Sequence, residues 1–349
     1  MTALDALVAR IAGPDPALAE VARRRLDSLT KPPGSLGRLE ELAIRVVVSA
    51  GTPRPRIAAP VIFTLAGDHG VAAQGVSAYP QAVTGQMVEN FARGGAAVNA
   101  LARLVGARVV VADLGVAGAA STHPSIVVRR IADGTRPITD GPAMTRAQAR
   151  AAIEAGAELV EQAAPDCVGT GEMGIGNTTA ASALTAALTR ADPAAVTGRG
   201  TGVDDHGWTR KVAAVRRALA VNRPDPADPL GVLAALGGLE IAGLVGVVLA
   251  GAARRAPVVL DGFIATAAAL VAVRLAPPAA GYLIAAHRSA EPGHARLLAA
   301  LGLTPYLDLG MRLGEGTGAA LGIALVRAAL ACYEDMATFK DAGVSERLE

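Results

Sequence analysis

The sequence predicts an α/β fold: a mainly parallel sheet with helices on both faces, Rossmann-like, plus a smaller helical domain drawn from the N-terminal and C-terminal segments. Three observations predict it. Short, continuous apolar runs alternate with longer stretches of helical spacing, the pattern of a parallel sheet buried on both sides. Of 349 residues, 52% are hydrophobic, 3% are aromatic and 40 are glycine, so the core has to consist of closely packed aliphatic layers. The glycines gather just after the apolar runs, where doubly wound sheets carry their ligand loops.

In chain order, residues 4–11 and 16–29 have helical spacing, the second stretch opening after Asp15 as an N-cap with proline in its first turn. TKPPGSLG (30–37) cannot continue a helix, and residues 39–49 resume an amphipathic pattern, so the first 50 residues are expected to be helical. Strand-like runs follow at 60–66, 108–114, 125–129, around Cys167, and at 257–260, 282–285 and 305–309. The stretch 237–253 holds Glu240 and five glycines and falls short of the roughly 20 residues of a membrane-spanning helix, so a buried helix is expected there. The last long helix, about 316–333, has no strand after it. Pairing it with the N-terminal helices predicts a small helical domain from residues 1–50 and about 325–349, flanking an α/β catalytic domain over 51–324.

Composition excludes several classes. Thirty-three basic against 31 acidic side chains give a formal charge of +2 without a long run of one sign, which disfavours a nucleic-acid stripe. Cys167 and Cys332 are too few and too far apart for a disulfide framework or a zinc knuckle, and a reducing cytoplasm is the expected location. The N-terminus carries Asp5 early and no basic region ahead of a long apolar stretch, so no secretory signal is expected.

The loops after the apolar runs hold the chemistry. GTGEMG (169–174) matches GxGxxG in form only, because no acid ends a second strand about twenty residues on. Instead IGNTT runs into a helix, crowding backbone amides with Asn177, Thr178 and Thr179 at an amino end suited to a phosphate. A second glycine loop, GEGTG (314–318), also opens a helix and points to an anionic ligand between the two. There is no GxxxxGK[ST] and no GxSxG, and no two histidines have the spacing of a helical ligand pair, so His69 and His206 read as satisfied loop histidines. Glu172 and Glu315, each set among glycines, are candidate bases, since backbone packed against a ligand there would exclude water and raise a carboxyl pKa. The bland alternative for each is a solvated loop acid or one interacting with a helix dipole.

Together TKPPGSLGRLE (30–40), AGDHGV (66–71), GVSAYPQ with VTGQM (75–87), GEMGIGNTT (171–179), GRGTGVDD (198–205), DGFI (261–264), AHRSAEPGH (286–294) and LGEGTGAAL (313–321) closely resemble, in one order, the nicotinate-nucleotide:dimethylbenzimidazole phosphoribosyltransferases of cobalamin nucleotide-loop assembly. The resemblance implies transfer of the phosphoribosyl group of nicotinate mononucleotide to 5,6-dimethylbenzimidazole, giving α-ribazole 5′-phosphate and nicotinate with inversion at ribose C1. It implies Glu315 as the base and Glu172 as a second carboxylate near the reacting ribose or acceptor base. Gly174, Ile175, Gly176, Asn177, Thr178, Thr179, Gly200, Gly202, Lys211 and Gly314 match phosphate and ribose positions. Ser77, Ala78, Tyr79, Pro80, Gln86 and Leu313 match the acceptor pocket. The resemblance also implies a homodimer with the site near the subunit interface. No cofactor, metal, nucleic acid or membrane partner is expected. Two readings stay open beside it: the same transfer to another benzimidazole, a purine or a phenolic base, and a non-catalytic nucleotide-binding protein.

Overall fold

A computed structural model of the chain describes residues 2–345. One parallel sheet contains β1 (Pro60–Gly67), β2 (Arg108–Gly115), β3 (Ile126–Val128), β4 (Cys167–Met173), β5 (Val258–Leu260) and β6 (Leu283–Ala285). Their spatial order is β3-β2-β1-β4-β5-β6. The chain builds outward from β1, then returns to its other side with β4, so the order reverses between them. At the centre Phe63 lies opposite Val110 on one side and Thr170 on the other.

All eight residues of β1 are buried. Val61, Phe63 and Leu65 enter one core and Ile62 and Ala66 the other, since successive strand side chains point to opposite faces. The helices Arg146–Ala163, Asn177–Thr189, Leu239–Ala253 and Phe263–Leu275 cover the first face, and Ala17–Asp27, Arg38–Ala50, Ala97–Leu104 and Thr317–Asp335 the second. The helix Leu239–Ala253 is buried at every position but its last. It meets Arg146–Ala163 backbone to backbone: a methyl group on Gly156 or Gly246 would run into the carbonyl of Gly243 or Ile153. Small residues allow that approach, and dispersion at short range does what aromatic bulk does in other cores. The helix Thr317–Asp335 is long and apolar enough to cross a membrane by length and composition alone; here it lies over β4 and β5.

Residues 305–309 correct one expectation. They form no strand: Leu307 makes a single parallel bridge to His287, and the Tyr306 and Leu307 amides donate to the carbonyls of Ala285 and Ala286. Pro305 has no amide to give and Gly310 turns away with φ +65, so the ladder ends almost where it starts. The helix Ala3–Ala9 packs on Arg146–Ala163 and Leu239–Ala253, across the sheet from Ala17–Asp27. The helix Ala17–Asp27 is tied to the other terminus, where the Arg25 guanidinium donates to the carbonyls of Tyr333, Glu334 and Met336. Residues 346–349 of the expected C-terminal part lie outside the described residues.

Candidate active site

Beyond the carboxyl ends of β4, β5 and β6 lies a cleft of about 460 Å3. β4 delivers Glu172 to its floor. The chain then turns through Gly174, where any side chain would strike the Gly67 carbonyl, and Gly176, at φ +97, into the helix Asn177–Thr189. That helix has no side-chain cap at its amino end, and Asn177 and Thr178 face the cleft. The Asn177 amide donates to the Glu172 carboxylate, and Ile175 N–H donates to Thr84 Oγ1 at 3.1 Å, fixing the loop.

The opposite wall is Arg312 to Glu315. Glu315 sits at φ +66, between Gly314 at φ +86 and Gly316 at φ +99. Ala164, Arg190, Arg223 and Arg255, the other non-glycine residues with positive φ among those described, all follow the carboxyl ends of helices, where that conformation is a routine cap. Glu315 opens a helix instead. A left-handed backbone there costs of order 1–3 kcal/mol. The Glu315 carbonyl accepts the Thr64 hydroxyl at 2.9 Å. A side chain at Gly314 would collide with the Glu172 carboxylate, so only glycine fits where this wall meets the floor.

Both carboxylates are nearly sealed, Glu172 6% and Glu315 7% exposed. Burial pushes the Glu172 carboxyl up to about 8, with the Asp261, Glu240 and Glu315 carboxylates adding to the effect and the Asn177 amide opposing it. Glu315 is pushed up to about 7, by burial first and Asp261 second. A carboxylate whose pKa lies near neutral can accept a proton at neutral pH.

Of the expected phosphate and ribose positions, Gly174, Ile175, Asn177, Thr178, Gly200 and Gly314 line the cleft. Gly176 and Thr179 sit behind that wall, and Gly202 lines a neighbouring hollow with Arg312. Lys211 is fully buried behind Gly200, its Nζ 2.8 Å from Thr178 Oγ1, and burial lowers its pKa to about 8. Tyr79 and Leu313 line the mouth. Ser77 Oγ (3.1 Å) and Ala78 N–H (2.9 Å) bond to Thr201 Oγ1 across it, while Pro80 and Gln86 are exposed outside the wall.

The second helix end corrects an expectation. The amino end opened by GEGTG is not free for a ligand anion, because Asp261 fills it: Oδ2 accepts Gly316 N–H at 2.9 Å and Oδ1 accepts Gly318 N–H at 2.6 Å. Among the described residues, two helix amino ends without a side-chain cap face the cleft, those of Asn177–Thr189 and Phe263–Leu275. Sequence reading also missed Arg312, the one lysine or arginine on the cleft wall among the described residues, whose Nη1 donates to Gly200 O at 2.8 Å. It missed roles for His287, Ser289 and Glu291 as well, although AHRSAEPGH was itself conspicuous. Glu291 accepts Gly200 N–H at 2.9 Å, and His294, kept neutral by burial with its pKa pushed down to about 3, accepts Ser289 N–H at 2.8 Å.

A family model described as phosphoribosyltransferase matches residues 11–344. A nicotinate-nucleotide–dimethylbenzimidazole phosphoribosyltransferase of Chloroflexus aggregans is 55% identical over 100% of both chains. One of Geobacter sulfurreducens is 52% identical over 99% of each. The crystal structure of CobT from Thermus thermophilus superposes with a TM-score of 0.92 at 49% identity, covering 95% of this chain and all of that one.

Proposed function

The chain belongs to the nicotinate-nucleotide–dimethylbenzimidazole phosphoribosyltransferase family, and we propose that its cleft moves the phosphoribosyl group of nicotinate mononucleotide to 5,6-dimethylbenzimidazole with Glu315 as the base. One observation carries this reading: two buried carboxyl groups, Glu172 and Glu315, line one cleft beside the uncapped amino end of the helix Asn177–Thr189. The 5′-phosphate binds at that helix end, where N–H groups and dipole favour an anion, and Arg312 adds a permanent cation. Lys211 contributes from behind, through Thr178 and its charge. The pyridinium of the donor is already a good leaving group. As it departs as nicotinate, ribose C1 gains oxocarbenium character and the acceptor nitrogen attacks from the far side, which inverts C1. Glu315 removes the proton from the other benzimidazole nitrogen, and Glu172, protonated near neutral pH, hydrogen-bonds the ribose. Holding both substrates in one cleft replaces a bimolecular encounter.

The exposed apolar side chains Tyr79 and Leu313 at the mouth support a homodimer whose interface adjoins the site.

The test is the single-turnover rate with both substrates saturating. Glu315→Gln keeps size and hydrogen bonding but removes the base, so the rate should fall by about 10²–10⁴ while acceptor affinity changes little. A near wild-type rate in Glu315→Gln with a dead Glu172→Gln would reverse the two roles.

A further inference from the structure

Asp261 takes no part in the chemistry above, yet it is 1% exposed and stands at the carboxyl end of β5, directly beneath Glu315. Both of its oxygens accept backbone N–H groups from the start of the helix Thr317–Asp335, the bonding of an ionised carboxylate at a helix amino end. Its own N–H donates to Thr170 Oγ1 on β4 at 3.1 Å, which locks the carboxylate to the sheet. The Gly316 N–H that it holds belongs to the peptide joining Glu315 to Gly316, and the carbonyl of that same peptide accepts the Thr64 hydroxyl from β1. The peptide following Glu315 is thus pinned at both polar ends by side chains from two different strands. That explains how a non-glycine residue stays left-handed at the start of a helix. There is no room for slippage, since a side chain at Gly318 would strike both His287 and Asp261.

We propose that Asp261 is a positioning residue for the transfer: with Thr64 it clamps the Glu315–Gly316 peptide, so that the Glu315 carboxylate is presented to the acceptor base in one fixed orientation. The proposal rests on Glu315 being the base. A second consequence is electrostatic. The groups facing Asp261 are Glu172 from β4, Glu315 and the Gly316, Gly318 and Ala319 amides from the helix start, and His287 beyond β6, whose Nε2 lies 3.8 Å from Oδ1. Burial raises the pKa of Asp261, and His287 and the amides, which favour its charged form, oppose that rise. Its charge in turn raises the proton affinity of Glu315 and Glu172. The donor cleft thereby gains a base that is both fixed and tuned toward neutral pH.

The experiment is a double-mutant cycle on the single-turnover rate, using the full chain: wild type, Asp261→Asn, Glu315→Gln and the double variant, with the pH–rate profile of each. Asparagine retains one acceptor oxygen and loses the charge. In the wild-type background Asp261→Asn should slow turnover by roughly 10- to 100-fold with little change in KM, the scale of a reacting group displaced by a fraction of an ångström to an ångström. Its acid limb should move to lower pH by about one unit, because a repelling charge has been removed. In the Glu315→Gln background the same substitution should cost almost nothing. If Asp261→Asn slows both backgrounds equally, or leaves the acid limb in place, its role is structural only and the proposal fails. A Glu315→Gln enzyme running at wild-type rate would instead sink the base assignment, a separate outcome. Thr64→Val, close to isosteric, breaks the clamp from β1 without touching a charge. It should lower the rate only while Glu315 is present, so the clamp is open to refutation even if Asp261→Asn does not fold.

Discussion

Glu172 keeps a proton near pH 7 because folding has taken it out of water and set it against three other carboxylates. That has a consequence for stability as well as for catalysis. A carboxyl whose folded pKa lies above its unfolded value stabilises the fold at low pH, and this contribution is lost as pH rises through the folded pKa. For Glu172 the window runs from its ordinary value near 4.5 up to about 8. Glu172→Gln, which cannot ionise, should therefore melt higher than wild type at pH 8, and the difference should close toward pH 4. Melting curves at the two pH values check this. Equal melting temperatures at pH 8 would mean that the carboxylate is solvated. The same residues were legible as chemistry in the sequence, because an acid among glycines stands out. The sequence could not show that the Glu315 carboxylate raises the Glu172 pKa, since that depends on where the fold sets them.

At the scale of elements, three helix amino ends meet the cleft, and those of Thr317–Asp335 and Asn177–Thr189 have opposite fates. The helix Thr317–Asp335 receives its anion from within the chain, through Asp261. The helix Asn177–Thr189 has no side-chain cap, and in the proposed function it takes the substrate phosphate. Nicotinate riboside, which lacks that phosphate, should then be poorer in kcat/KM by at least about 10²-fold, the size of two charge-assisted hydrogen bonds. Arg312→Gln should weaken use of the mononucleotide while leaving the riboside nearly unaffected. Equal kcat/KM for mononucleotide and riboside would remove the phosphate from this helix end. GIGNTT and GEGTG look alike in sequence as glycine loops opening helices. They differ in what β5 sets against them, which neither loop encodes.

For the molecule as a whole, sheet order brings the loops after β4, β5 and β6 to one rim, and three substrate groups can be met there at once: phosphate, ribose and acceptor base. The reaction assigned to that rim involves a leaving group that is already cationic and departs without Lewis-acid help. Turnover should accordingly survive EDTA. Loss of activity on chelation, restored by one divalent ion, would overturn that mechanism.

The alternation of apolar runs with helical stretches determined the class of fold, because a strand buried on both faces leaves a continuous hydrophobic run whatever its neighbours are. Glycine loops and their acids likewise announced themselves locally. Only the tertiary structure decided that Asp261 would reach across 55 residues to the Gly316 N–H, that Arg312 would reach across 112 to Gly200, and that Lys211 would stand behind the wall. It also decided that 305–309 would break off after one bridge. Local pattern reports how much of a segment is buried, and these contacts depend on which segment arrives beside it, a quantity set by strand order and by the close packing of helices over the sheet.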